Sequence, residues 1–278
     1  MAIKVVTDSG SDLPLELAKE LDITVVPVYI YFGDKAYKDW VDIEPDELYK
    51  RLVEGQVYPT TSQPMPTDFA KAYSDLSQDA DAIVSIHLPT KVSGTYNAAL
   101  QGVEIAKPKC EVHVVDSFSI SAGLALITMA AARVAKAGGK LTEVLEETKK
   151  AISQTQIRGL LETLQYLLKG GRVTKAKALV GTLLNVKPIL TVRDGEIIQA
   201  GMARSYTKGI EQLFQFVKNY PKLQEVAIVH STVPEEANAL KNIIAPIIGE
   251  EHIQMSRLGA GLGVHGGPGT LIVAARGG

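Results

Sequence analysis

Short apolar runs alternate with segments of helical spacing along the first half of the chain. The runs of strand length, rich in Val and Ile, are residues 3–7, 23–32, 81–86 and 111–115. The turn at Gly33 and Asp34 after the second run indicates a hairpin. The predicted helices are residues 14–21, 45–53, 68–76, 94–106, 119–137 and 141–154. Strands that alternate with helices predict an α/β fold whose first sheet is mostly parallel and Rossmann-like.

The pattern changes near residue 155, where we place the boundary between two α/β domains, 1–155 and 156–278. In the second part, the turn at Asp194 and Gly195 between two apolar runs indicates a hairpin, so a mixed sheet is expected. The predicted strands are residues 187–192, 196–203, 225–230, 252–256 and 269–275. The predicted helices are residues 163–169, 175–184, 207–219 and 234–248.

Charge and hydropathy limit the partners of the chain. Its 278 residues carry a formal net charge of -2, so it lacks the basic field that nucleic-acid binding needs, and no nucleic-acid partner is expected. Hydrophobic residues make up 46% of the sequence, enough for a large core or an internal cavity. The longest apolar stretch, 122–132, is shorter than the ~20 residues that span a bilayer. We therefore interpret it as a buried helix and expect no transmembrane segment.

Several types of site are excluded by residue type and spacing. Cys110 is the only cysteine, which excludes an intrachain disulfide, a cysteine zinc site and a CxxC redox pair. The five histidines lack metal-binding spacing, so no metal is expected. No GxxxxGK[ST] motif is present, which excludes a nucleotide site of the P-loop type. The strand-like N-terminus shows no export leader, and with the cysteine usage this predicts a cytoplasmic protein.

Two hydroxyl-rich segments carry the strongest local signal. In segment 60–64, four hydrogen-bonding side chains precede a proline, and in segment 93–95, Ser93 and Gly94 stand at the start of a predicted helix. Hydroxyl donors and the free amide groups of a helix start bind anions, and Gly94 lets a ligand approach the backbone. An ordinary surface loop and an N-cap by Ser93 explain the same residues without a ligand.

Three further motifs allow more than one interpretation. Segment 259–267 contains a formal GxGxxG match, but a strand follows it and the chain then ends, so we reject a dinucleotide site and expect a loop from which His265 projects towards a ligand. Segment 8–12 holds two carboxylates, and we interpret Asp12 as the cap of the next helix rather than as a metal or proton site. The basic residues of 169–177, together with Arg204, form either a solvated surface or a docking patch for an acidic partner or a phosphate.

Taken together, the chain resembles the DegV family, the fatty-acid-binding subunits of bacterial fatty acid kinase systems. The likeness spans essentially the whole chain, and it joins motifs that are weak singly. The residues that carry it are Val5, Val6, Thr7, Asp8 and Ser9; Thr60, Thr61, Ser62, Gln63 and Pro64; Ser93, Gly94 and Thr95; Val114, Val115, Asp116 and Ser117; the 169–172 turn; Lys187, Pro188 and Ile189; and the His265 loop.

The resemblance implies a two-domain α/β protein that encloses one long acyl chain, such as that of palmitate, with the carboxylate between the domains. It implies that Thr61 and Ser93 hydrogen-bond the carboxylate directly. The other neighbours it implies for the carboxylate are Ser62, the backbone amides near Gly94 and Thr95, and His265.

The resemblance also implies a partner protein, an ATP-dependent kinase that phosphorylates the bound acid to an acyl phosphate. Arg172 and Arg204 match basic positions near the kinase contact or the phosphoryl group. By this likeness the chain is a lipid-binding subunit without a catalytic residue, cofactor or metal, and it makes at most transient contact with a membrane surface.

Two other functions are compatible with the residues alone. In a serine hydrolase or acyltransferase, Ser93 would be the nucleophile and His265 the base, although no GxSxG elbow is present. A small phosphate-binding or nucleotide-binding module would use the same helix start at Ser93.

Overall fold

The computed structural model of the chain describes residues 2–172 and 186–278. The strands over these residues are β1 (Ile3–Asp8), β2 (Ile23–Val26), β3 (Tyr29–Phe32), β4 (Lys35–Lys38), β5 (Thr60–Ser62), β6 (Ala82–His87), β7 (Glu111–Asp116), β8 (Thr155–Leu160), β9 (Lys187–Arg193), β10 (Glu196–Ala203), β11 (Leu223–His230), β12 (Ile253–Arg257) and β13 (Leu271–Gly277). The helices are α1 (Leu15–Glu20), α2 (Pro45–Glu54), α3 (Pro66–Leu76), α4 (Thr95–Ala106), α5 (Ser121–Lys136), α6 (Leu141–Gln154), α7 (Gln165–Lys169), α8 (Tyr206–Lys218), α9 (Pro234–Ile248) and α10 (Ala260–Gly266). The helix predicted at 175–184 lies outside the described residues.

The strands form three sheets. A parallel sheet of four strands has the order β2-β1-β6-β7, and a mixed sheet of six strands has the order β10-β9-β8-β13-β11-β12. In the mixed sheet, β11 and β12 are parallel and the other pairs are antiparallel. A small antiparallel sheet has the order β4-β3-β5. The predicted α/β class, with a parallel first sheet and a mixed second one, is therefore confirmed.

The parallel sheet is covered on both faces. Val5 and Val6 are adjacent in β1 and point to opposite faces, yet both are buried. On the Val5 side the core includes residues of α5 and α6, and on the Val6 side it includes residues of α3 and α4. Burial on both faces explains why these strands read as continuous apolar runs in the sequence.

Helix α5 lies between the parallel and the mixed sheets and contacts both. Its residues from Ser121 to Ala132 are all buried, and it packs on β1 as well as on β11 and β13. Ala122 and Leu126 share a cluster with Ile157 and Ile272 of the mixed sheet. The prediction of a buried helix over 122–132 is thus confirmed. No helix in the ranges 2–172 and 186–278 combines the length and the hydropathy that crossing a bilayer requires.

Strand β8 is the main element that the sequence pattern missed. It begins at Thr155 and lies inside the mixed sheet, between β9 and β13. Gln156, Arg158 and Gly159 interrupt its apolar pattern, which hid it at the predicted domain boundary. The division into domains at residue 155 stays a prediction.

Candidate ligand-binding site

Segment 60–64 is partly a strand. Residues Thr60–Ser62 form β5, which pairs antiparallel with β3 and places Thr61 opposite Ile30. The hydroxyl of Thr61 lies 2.8 Å from Nε2 of His265, 204 residues further along the chain. Strand pairing therefore fixes the Thr61 hydroxyl at a contact between the two ends of the sequence.

Ser93 stands directly before α4. Its Oγ accepts the amide hydrogen of Thr95 at 3.2 Å and lies 2.7 Å from the Thr95 hydroxyl. The N-cap position belongs to Gly94, so the interpretation of Ser93 as the N-cap residue is wrong, although Ser93 does occupy one free amide of the helix start. Thr95 is fully buried and is not among the residues that line the cavity described below. The implied contact of its backbone amide with a carboxylate stays a prediction.

The two hydroxyl-rich segments meet through Gln63 and Gly94. A Cβ atom at Gly94 would lie 3.1 Å from the amide carbon of the Gln63 side chain. This is tighter than most side-chain contacts, so glycine at position 94 lets Gln63 pack over the start of α4. Ser62, Gln63, Ser93 and Gly94 all line one cavity.

His265 lies on a helix, so the loop expected for segment 259–267 is wrong. Residues 260–266 form α10, which follows β12 and leads into β13. The glycines are typical of a loop in the sequence, but in the structure they allow close packing of a helix. A Cβ at Gly263 would lie 2.6 Å from the Tyr49 hydroxyl and 2.7 Å from a methyl of Leu48. One face of α10 packs into this core through Ala260 and Val264, and the other face carries His265 to the cavity.

The imidazole of His265 is buried and neutral at pH 7. Burial, and next the positive charge of Arg172, lower its pKa to about 4. Its Nδ1 has no hydrogen-bond partner among the described residues, and the backbone of Gly170 packs directly against that side of the ring. The ring therefore takes part in one hydrogen bond, the one between its Nε2 and Thr61.

These residues line a cavity with about 1050 Å³ of empty space, its open mouth included. Ile157 of β8 and Leu190 and Val192 of β9 form the part of its apolar wall that lies on these two strands of the mixed sheet. The apolar lining residues are Val28, Leu88, Val92, Ile120, Ile157, Leu161, Leu167, Leu190, Val192, Ile197, Leu258, Leu262 and Ile272. Two lining hydroxyls are already engaged with backbone carbonyls, Thr191 with that of Ile157 and Thr270 with that of Gly266.

Arg172 also lines the cavity, whereas Arg204 does not. The Arg172 guanidinium donates to the carbonyl of Gly170 at 2.7 Å, in the turn that packs on His265. Arg204 follows β10 and is exposed. Lys169 lies over the ring of Tyr58, 4.9 Å from its centre. The remaining basic residues of this predicted cluster, Lys175 and Lys177, lie outside the described residues.

The structure rules out Asp12 as a helix cap. The residue before α1 is Pro14, and no side chain caps that helix. Asp12 is instead buried and accepts hydrogen bonds from Ser121 and from the amide of Gly259. Across residues 2–172 and 186–278, no group of three or more His, Cys, Asp or Glu side chains is placed to bind a metal ion.

A second histidine cluster was not found by sequence analysis. His87 lies between Asp8, 2.9 Å from its Nδ1, and Ser85, 2.6 Å from its Nε2, and Ser85 in turn contacts the Tyr73 hydroxyl at 2.8 Å. All four side chains are fully buried and none lines the cavity, so no substrate reaches Ser85. The residues come from three separate segments, and only the fold brings them together.

The pairing that a hydrolase at Ser93 requires is not formed. Ser93 contacts Thr95, and the cavity-facing nitrogen of His265 contacts Thr61. A nucleophile and its base are recognised by a direct hydrogen bond in most active sites. The arrangement can hold a polar head group while an apolar tail lies along the sheet.

The fold and the cavity together define an α/β protein with two main sheets and a mostly apolar pocket whose lining includes hydroxyl groups. The chain belongs to the DegV family, whose family model, described as DegV family COG1307, matches residues 2–276. It is 35% identical over 271 residues to a DegV domain-containing protein of Caldanaerobacter subterraneus. The aligned region covers 96% of this chain and 95% of the relative.

Solved structures of this family are similar along the full chain. A DegV family protein from Thermus thermophilus with fatty acid binding has a TM-score of 0.91 and 35% identity, and the match covers 100% of both chains. DegV of Bacillus subtilis, a fatty acid binding protein, has a TM-score of 0.89 and 26% identity, with 99% of both chains covered. A stearic acid-binding protein from Eubacterium ventriosum has a TM-score of 0.88 and 26% identity, with 99% and 98% covered.

Proposed function

We propose that this protein binds one long-chain fatty acid, with the acyl tail in the cavity and the carboxylate at Thr61 and Ser93. The observation that carries the proposal is the cavity itself, whose lining is mostly apolar and includes Thr61 and Ser93. Structures of relatives that bind fatty acids support it.

The apolar wall supplies the affinity in this proposal. Burying ~14 methylene groups at about 0.8 kcal/mol each gives roughly 11 kcal/mol of transfer free energy. Part of this offsets the lost freedom of the ligand and of the side chains that close around it. A tail of this length therefore binds tightly without a charged partner for its carboxylate.

The head group is held by hydroxyl donors. A carboxylate in a poorly hydrated cleft is strongly disfavoured unless donors pair with it. When the Thr61 hydroxyl donates to the ligand, its oxygen accepts a hydrogen from Nε2 of His265, which places the imidazole in one tautomer. The low pKa of His265 keeps the ring neutral, so the tautomer is maintained at pH 7.

The bound acid is presented to another protein in this proposal. Its carboxylate would be phosphorylated by a separate ATP-dependent kinase, because the chain contains no P-loop motif. Arg172 lines the cavity beside His265, where a guanidinium would stabilise an acyl phosphate, and exposed Arg204 is available to a partner surface. The protein acts as a binding subunit, without chemistry of its own.

Extraction of the purified protein tests the proposal. Denaturing it and analysing the organic extract by mass spectrometry should yield about one long-chain fatty acid per chain. Protein first stripped of lipid should take up palmitate from solution and lose that capacity when the cavity is filled. If the extract holds no fatty acid and the stripped protein binds no palmitate, the proposed function is wrong.

A further inference from the structure

The start of α10 rests on two buried carboxyl groups from the first part of the chain. Asp12 accepts the amide hydrogen of Gly259 at 2.8 Å. Asp39 accepts those of Ala260 at 2.8 Å and Gly261 at 3.1 Å, one on each of its oxygens. The first four amide groups of a helix have no partner within the helix, and these bonds satisfy three of the four in α10.

Each carboxyl group is itself oriented by a serine. Ser121 donates to Asp12 at 2.6 Å, and Ser9 donates to Asp39 at 2.9 Å. Ser9 also accepts the amide hydrogen of Val28 at 3.1 Å. Both carboxyl groups are almost completely buried, with 1% exposure each. They are therefore fixed acceptors rather than flexible surface groups.

Two glycines of segment 259–267, Gly259 and Gly261, are explained by this contact. A Cβ at Gly259 would lie 2.5 Å from the Trp40 ring nitrogen and 3.1 Å from the carboxylate of Asp12. A Cβ at Gly261 would collide with Val28 and lie 3.0 Å from the carboxylate of Asp39. Neither glycine has a positive φ, so close approach to the carboxyl groups, not backbone conformation, requires them.

The same helix forms part of the candidate site. Gly261, Leu262, His265 and Gly266 line the cavity, and Nε2 of His265 contacts Thr61. The helix has only seven residues, so a displacement of its first turn moves His265 as well. The position of the imidazole thus depends on the contacts that the amides of residues 259–261 make at the start of the same helix.

We propose that Asp12 and Asp39 are positioning residues of the head-group site, which hold the first turn of α10 and so place His265 against Thr61. This inference rests on the proposed function, because it assigns the two carboxyl groups to the site that binds the fatty acid. Neither residue touches the ligand; both act through α10.

Because Asp12 and Asp39 are buried, their protonation links the position of α10 to pH. Burial, as the largest cause, raises the pKa of Asp39 to about 6 and that of Asp12 well above its usual range. Contact with water would return both groups to ordinary values, so the held arrangement binds protons more tightly than an opened one. At Asp39 and Asp12, lowering the pH from 7.5 to 5 therefore favours the held helix. His265 on the same helix acts in the opposite direction, because burial lowers its pKa to about 4. The charged or titratable groups that face the pair are Asp8, Tyr49, Asp46 and Arg257.

Variants of Asp39 test the proposal in protein without ligand and with palmitate. Asp39→Ala removes both acceptors, and Asp39→Asn keeps an oxygen for one of the two amides. The matched control is Asp42→Ala, since Asp42 is an exposed carboxylate that also accepts a backbone amide, that of Lys38. The measurements are amide hydrogen exchange of α10, the imidazole NMR signals of His265, and palmitate affinity.

We expect a graded response. Asp39→Ala should lower palmitate affinity at least tenfold, shift the His265 signals and lower the protection of α10 from exchange. Asp39→Asn should cause smaller changes in the same three measurements. Asp42→Ala should change none of them. Asp39→Asn removes one of the groups that favour the held helix at low pH and keeps His265. Between pH 7.5 and 5, its α10 protection, corrected for intrinsic exchange, should therefore change less favourably than that of the wild type.

Two results would overturn the proposal. One is a folded Asp39→Ala protein with wild-type His265 signals and wild-type affinity. The other is α10 protection in Asp39→Asn that changes between pH 7.5 and 5 in the same way as in the wild type, and this measurement decides the matter even if Asp39→Ala fails to fold. Failure of the wild type to bind palmitate would contradict the proposed function alone, because the exchange and NMR measurements need no ligand.

Discussion

Two histidine clusters in this protein use similar side chains with different results. His87 with Asp8, Ser85 and Tyr73 forms an enclosed cluster in which both ring nitrogens have partners. His265 with Thr61 forms a cavity cluster, to which Ser93 adds a hydroxyl, and one ring nitrogen has no partner in the described part of the chain. The enclosed cluster has the residue types of a catalytic triad but no access. Access from a cavity, rather than residue type, therefore distinguishes the candidate site.

The largest effect should follow from breaking the enclosed cluster. His87→Ala leaves the carboxylate of Asp8 buried without its ring partner, which we expect to lower the free energy of unfolding by about 3–5 kcal/mol. Palmitate affinity, measured where the variant is folded, should change less than about threefold. Urea unfolding checks the stability, with His113→Ala, a change at a half-buried histidine of β7, as the control. A large loss of affinity at unchanged stability would contradict the division between the clusters.

Filling the cavity should remove binding and leave the enclosed cluster intact. Gly159 lines the cavity between Ile157 and Leu161, and a Cβ there would make only ordinary contacts, at 3.6 Å and beyond. Its φ is not positive, so glycine serves there to leave room. We expect Gly159→Leu to weaken palmitate binding at least 100-fold, about 3 kcal/mol, by calorimetric titration.

Gly159→Ala is the matched control for that substitution. It adds one methyl group and should shift the preference towards shorter acyl chains without abolishing binding. Equal affinities of the leucine variant and the wild type for palmitate would place the tail elsewhere.

Removing the hydroxyl of the cavity cluster should affect binding more than stability. Ser93→Ala deletes a donor to the carboxylate, and hydrogen bonds to charged groups contribute about 1.5–3 kcal/mol, which corresponds to roughly 10-fold to 100-fold in affinity. The free energy of unfolding should change by less than about 1 kcal/mol. Ser85→Ala is the control with the opposite pattern, lower stability and unchanged affinity. If Ser93→Ala and Ser85→Ala changed affinity and stability in the same way, the two clusters would not differ in function.

The smallest effect concerns pH and stability. Because the pKa of His265 is about 4 in the folded protein and near 6.5 when unfolded, the unfolded state binds the proton more tightly. His265 therefore makes the protein less stable as the pH falls from about 6.5 towards 4, by roughly 2 kcal/mol at pH 5. Unfolding of His265→Asn should show a shallower loss over this window than the wild type. Parallel curves would show that His265 is not buried as described.

Periodicity predicted most of the fold because most strands and helices bury a regular face. It failed at β8, where Gly159 leaves room for the cavity and Arg158 donates to Thr191, and at α10, where glycines permit close packing. Thr61, Ser93 and His265 were singled out from local composition and family resemblance, and the structure brings Thr61 and His265 into contact. The cavity wall, the His87 cluster and the role of Asp39 were not predictable, since each depends on residues far apart in the chain.

A crystal structure of the protein with bound palmitate tests the central claim most directly. The account predicts the acyl chain along the β8 and β9 wall, beside Gly159, with the carboxylate within hydrogen-bond distance of the Thr61 and Ser93 hydroxyls. A carboxylate at the opposite end of the cavity, or a palmitate bound outside it, would contradict the account.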